Sequence, residues 1–204
     1  MTKLTREGLQ LPVLLGMAAL LTGCILPEKL DANIVVTGYH YDVALEGRLA
    51  EPRTVGALAK GQALPSNHEA QMKAQEALAL QLPGMSRFAY VGGGRYDFAM
   101  RIEGELSRET PIIGFPNTRA GNNNFLTIRR NEDGTVVISS PDVPAKALAD
   151  LEEVGLAASG TISIDIDGQV LESNADDQPA EGPHIWNRKS WSHRISLKFA
   201  PESK

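Results

Sequence analysis

Cysteine occurs once in this chain of 204 residues. A single thiol excludes an intramolecular disulfide and any structural zinc site built on two or more cysteines, and a chain of this length buries a core without such staples. Basic charge is also scarce. Lys and Arg number 20 against 25 Asp and Glu, a formal net charge of -5, which argues against a cationic face that would neutralise phosphates, so nucleic acid is not an expected partner. Missing too are a Gly-x-Ser-x-Gly elbow, a Ser-x-x-Lys pair and a His-Glu-x-x-His helix. With no nucleophile beside an evident base, the expectation is a non-enzymatic protein with no cofactor, no catalytic residue and no metal ligand; a hydrolase is the enzymatic alternative. What is present is the composition of a globular chain, 42% hydrophobic and 22% charged.

The lone cysteine sits at the end of a distinctive leader. Lys3 and Arg6 precede an apolar run through Val13, Leu14, Leu15, Met17, Ala18, Ala19, Leu20 and Leu21, which ends in Thr22, Gly23 and Cys24. A basic start, an apolar stretch too short to span a bilayer and small residues before a cleavage point are the parts of a secretory signal.

The four residues Leu21-Thr22-Gly23-Cys24 resemble the lipobox of bacterial lipoproteins. The resemblance implies cleavage between Gly23 and Cys24, thioether acylation of Cys24 and further acylation, such as palmitate, at the new amino terminus. Two or three acyl chains give stable attachment where one would be marginal. Residues 1–23 are then a signal peptide, and its removal takes away Lys3, Arg6 and Glu7, a net +1, leaving a mature chain of 181 residues with charge -6. The acylated chain has no free thiol for catalysis or redox sensing. Ile25 in place of Asp after the cysteine favours the outer membrane, facing the periplasm, by the sorting rule of Gram-negative lipoproteins.

Residues 24–32 read as the acylated cysteine and a short tether, at most about 26 Å long, before strand character begins at Asn33. Residues 33–200 read as one domain and 201–204 as a polar tail. Alternation in Tyr39–Leu49 and again in Arg95–Leu106 indicates strands with one buried and one wet face. The two stretches share a Tyr-Asp word, at Tyr41-Asp42 and Tyr96-Asp97, consistent with either a duplication or convergent strand patterning. Ser66 with Glu69 reads as a capping box opening a helix whose stripe is Ala70, Ala74, Ala77, Leu78 and Leu82, stopped by Pro83-Gly84. Pro111 to Asn124 reads as loop. Asp133-Gly134 and Asp167-Gly168 read as hairpin turns. A second helix follows Pro144, with Ala147, Leu148, Leu151 and Val154 on one face and Gly155 beyond it. The sum is an α+β domain: an antiparallel sheet of about six to eight strands with two helices packed on one face.

Among chemistry-bearing clusters, Asp165, Asp167 and Gly168, with Glu172, Asp176 and Asp177 downstream, suggest a calcium loop but lack its third regular acid and terminal glutamate, so a turn is the preferred reading. Gly92-Gly93-Gly94 runs into a strand and lacks the Gly-Lys-Ser/Thr of a phosphate loop. His184 and His193 lack a carboxylate at zinc-ligand spacing. Trp186, Trp191 and His184 beside a Pro/Gly/acid loop are either core plugs or the rim of a binding groove.

The run Gly168 to Ala175, followed by Gly182-Pro183-His184-Ile185-Trp186 and a final strand, resembles the close of the LppM-like lipoprotein domain. That family's second membrane helix is missing, and no binding residue is carried over. The resemblance implies a small α+β envelope domain that engages lipids or glycolipids. The expected function is an acyl-anchored envelope lipoprotein that binds a lipid, glycolipid or envelope protein near the membrane. The alternative is a structural or assembly lipoprotein acting through protein contacts alone.

Overall fold

The computed structural model describes residues 25–106, 112–115 and 123–202. The leader and the lipobox lie outside the described residues. In chain order the elements are β1 (Leu26–Thr37), β2 (His40–Ala50), α1 (Pro52–Ala59), α2 (His68–Ala79), β3 (Met85–Gly92), β4 (Arg95–Glu105) and β5 (Ile112–Phe115). They continue as β6 (Asn123–Arg130), β7 (Val136–Ser139), α3 (Ala145–Glu153), β8 (Gly160–Ile166), β9 (Gly168–Ser173), β10 (His184–Arg188) and β11 (Ser196–Pro201).

The α+β class holds, in a form richer in strands than expected. The described strands divide between a mixed six-stranded sheet, order β10-β8-β1-β2-β4-β3, and an antiparallel five-stranded sheet, order β5-β6-β7-β11-β9. One pairing in the first sheet, β1 with β8, is parallel. Alternation places Ile34, Val36, Val43, Leu45, Phe98, Ile162 and Ile164 inward from the first sheet, and Leu126, Ile128, Val136, Ile138, Leu197 and Phe199 inward from the second, in one shared apolar core. The strands that supply these residues have their expected buried face, and across the core it meets the other sheet.

Three helices occur among the described residues; α2 contributes to the main core, and α1 and α3 to a second, smaller one. Helix α1 is an element that pattern reading passed over, though Glu51-Pro52 is a strong start. The Glu51 carboxylate accepts from the Arg53 and Thr54 backbone N–H groups at 3.2 and 2.6 Å, and Pro52 occupies the first turn, where its missing N–H costs nothing. Helix α2 forms without the expected capping box, since Asn67 is its N-cap and makes no side-chain bond. Its buried face is also not the alanine stripe. Met72 is buried and Ala79 and Leu82 pack against the core, whereas Ala70, Ala74 and Ala77 are exposed and Leu78 is 47% exposed. The Tyr96 hydroxyl, which burial pushes far above the usual phenol range, fixes that choice by donating to the Met72 carbonyl at 2.9 Å. Helix α3 follows the expected pattern, with Leu151 buried and Leu148 and Val154 packed around it.

Other boundaries move for physical reasons. Strand β1 begins at Leu26 rather than Asn33, because Leu26 to Ala32 pair with Ala50 to Leu45 of β2. The segment read as a tether is thus part of the sheet. The turn at Asp133-Gly134 does join the antiparallel neighbours β6 and β7. The turn at Asp167-Gly168 joins no hairpin: β8 lies in the first sheet and β9 in the second, so the chain crosses between layers there. Asp167 braces that corner by accepting from the Gly38 N–H at 2.5 Å. Ile112–Phe115, within the passage read as loop, pairs with β6, and Pro201 of the polar tail pairs with Gly168. The shared Tyr-Asp words fall on adjacent antiparallel strands, where Asp97 faces Arg48 and Asp42 bonds Arg101 across the same outer face.

Candidate functional site

The three aromatic candidates separate once their surroundings are known. Trp186 is fully buried, its indole N–H donating to Asn174 Oδ1 at 2.8 Å. His184 is buried too, its ring centroid 6.4 Å from that of Trp186. These two are core residues and line no rim, because alternate positions of β10 face the interior. Trp191 belongs elsewhere. It lies in a second, smaller core with Ala50, Val55, Leu151, Leu156 and Ala158, and its N–H donates to the Leu156 carbonyl at 3.2 Å.

That smaller core forms one wall of a cleft of about 490 Å³, within the range of small-molecule sites. Leu26, Pro27 and Leu30 at the start of β1 line one side, and Leu151 and Val154 of α3 line another. Phe125 and Leu126 of β6, Pro141 and Val143 before α3, and Trp191 and Ile195 before β11 complete an apolar lining. The wall built by β1 is held firmly. Ser159 N–H donates to the Glu28 carbonyl and Leu30 N–H to the Ser159 carbonyl, each at 3.0 Å, while the Arg95 guanidinium grips the Glu28 carboxylate at 2.8 and 3.1 Å. Helices α1 and α3 approach closely at Gly56, where an added Cβ would stand 3.0 Å from Val154 Cγ1.

The polar groups of the cleft are few and include two arginines. Arg188 is half-buried in the lining with its guanidinium 5.0 Å from the Trp191 ring centre. Burial pulls its pKa below the ordinary guanidinium value, and its side chain makes no hydrogen bond or ion pair with the described residues. Arg53 is exposed at the first turn of α1. Of the acids, Asp150 lines the cleft but is held by Lys146 at 2.8 and 3.1 Å. His193 stands 3.9 Å from Asp176. Sequence reading singled out Trp191 and the apolar face of α3 but neither Arg188 nor the cleft itself, because the residues that close the cleft come from five distant parts of the chain.

One cluster brings acid, hydroxyl and imidazole together: Glu51, Thr54 and His68. The Thr54 hydroxyl donates to the Glu51 carboxylate, and His68 Nε2 lies 3.0 Å from Thr54 Oγ1. With the hydroxyl proton directed at the carboxylate, the imidazole nitrogen serves as donor to Thr54, the reverse of base activation of a nucleophile. The cluster caps α1 and ties α2 to it. Gly94 is seated against it, its φ of +74° combined with a would-be Cβ only 2.7 Å from Thr54 Cβ. The glycine run is therefore a tight turn docked on a helix start. Among the described residues no group of three or more His, Cys, Asp or Glu side chains could hold a metal ion, and no helix is long and apolar enough to cross a membrane.

Searches of protein-family models, curated proteins and solved structures find no match to this chain.

Proposed function

We propose that the chain is an acyl-anchored lipoprotein of the cell envelope, without catalytic activity, that binds the apolar part of an amphiphile in the cleft beside its own anchor point. The observation that carries this reading is position. Leu26 and Pro27 line the apolar cleft, and Cys24 is two residues upstream of Leu26, at most about 7 Å of backbone away. An amphiphile in the cleft would stay close to the lipid surface that the anchor enters, and its polar end would meet the cationic groups there.

Two experiments test the parts of this reading. Cys24→Ser is expected to yield a precursor that retains its leader and carries no acyl chains, read by the intact mass of protein from its native membrane. Normal maturation of that variant would remove the anchor. Native mass spectrometry of the wild-type protein from the same membrane is expected to show co-purifying lipid. A lipid-free protein that also fails to take up added amphiphile would end the lipid-binding part.

A second reading, assembly through protein contacts, has an observation of its own. The outer face of β1, β2 and β4 carries exposed Asn33, Glu46 and Arg101 beside small Ala44 and Ala99. A pull-down that survives blocking of the cleft but is lost on reversing charge at Glu46 and Arg101 would favour it.

A further inference from the structure

We infer that the cleft is selective for amphiphiles with a compact acidic head, a carboxylate or a monoacyl phosphate, and that Arg188 is the residue that contacts this head. The inference rests on the lipid-binding reading of the cleft and adds the chemistry of the ligand.

The argument begins with a cation in an apolar setting. A half-buried charge is costly unless it is paired and hydrogen-bonded. Arg188 stands in a lining supplied by Leu26, Leu151, Trp191 and Ile195, and the described residues give its side chain no acid or carbonyl partner. The Trp191 ring beneath Arg188 Cζ is a contact through its π-face and takes none of the guanidinium N–H groups in a hydrogen bond to oxygen or nitrogen. A guanidinium carries five N–H donors in a planar fork that fits the paired oxygens of a carboxylate or phosphate.

The neighbouring charges point the same way. Arg53 lines the cleft with no side-chain partner among the described residues, so a second cation is available at the start of α1. The acid of the lining, Asp150, pairs with Lys146, and Asp176 lies beside His193. An anion entering here meets uncommitted positive charge, and a neutral head would leave Arg188 unpaired. The protein as a whole is acidic, with a formal charge of -5, so general electrostatic attraction does not account for a preference for anions.

The test uses the purified full-length lipoprotein and three probes of equal chain length: a long-chain carboxylic acid, the monoacyl phosphate and the primary alcohol. Bound fractions are read by native mass spectrometry in competition. Wild-type protein is expected to prefer one or both acids over the alcohol by about tenfold to a hundredfold, the worth of a hydrogen bond to a charged group. Arg188→Met, which keeps an unbranched apolar stem and removes the guanidinium, is expected to lose that preference while still binding the alcohol. Whether carboxylate or phosphate leads identifies the source of the head. Equal binding of acid and alcohol by the wild type would overturn the inference, and this arm needs no variant to fold. An undiminished acid preference in Arg188→Met would overturn it as well. In both cases the apolar-cleft reading stands. If no probe binds, the lipid-binding reading itself falls.

Discussion

Trp186 and Arg188 are two residues apart on β10 and share its inward face, yet Trp186 is fully buried in the main core while Arg188, at the end of the strand, is only half-buried. Trp186 fills the main core and is linked through Asn174 to the second sheet, because Asn174 Oδ1 also accepts from the Ser196 N–H at 2.8 Å. Trp186→Ala should remove a full indole and that link, and a loss of about 3–5 kcal/mol is expected from chemical denaturation. Charged pairs on the outer face should matter much less. The Arg101 guanidinium, through its hydrogen bond, holds the Asp42 carboxyl below the usual carboxylate range. A lowered folded-state pKa stabilises the protein above the unfolded value, and the contribution disappears as pH falls through the folded value. Asp42→Asn should therefore lower the melting temperature slightly at neutral pH, and the gap to wild type should close in strong acid. A gap that stays constant down to pH about 2 would refute this assignment.

At the scale of elements, the parallel pairing of β1 with β8 depends on Gly160. Its φ is +126°, and a Cβ there would stand 2.0 Å from the Leu30 carbonyl oxygen. Gly160→Ala must displace one strand or the other, so a loss greater than about 1–3 kcal/mol is expected, measured as a shift of the urea midpoint. Elements were legible in the sequence where a single local signal decides them: the alternation of β2 and β4, the turn at Asp133-Gly134, the face of α3. Where two local solutions are of similar quality, the pattern did not decide. Helix α2 has small or apolar residues on more than one face, and Tyr96 of β4 selects the one with Met72. Alternation shows that a strand buries one side but does not say which sheet it joins, so Asp167-Gly168 reads as a hairpin when it is a corner between layers.

For the whole molecule, the candidate site was the least legible part for the same reason. Its lining gathers residues from the start of β1, from β6, from α3 and from the approach to β11. No window of sequence contains them together. Trp191 stood out by residue type, whereas Arg188 gains significance only from the lack of a hydrogen-bonding partner among the described residues, a property of three-dimensional placement. The leader proposed for residues 1–23 differs in kind, since a processing signal is read by other proteins as an extended string and is complete within a few residues.

The early start of β1 has a mechanical consequence. Residue 26 already belongs to a strand flanked by two others, antiparallel β2 and parallel β8, and the salt link from Arg95 to Glu28 lies within its first turn of pleat. Tension arriving from an anchor upstream would run along the axis of β1 and load its ladder of hydrogen bonds in shear, many at once, instead of peeling them one by one.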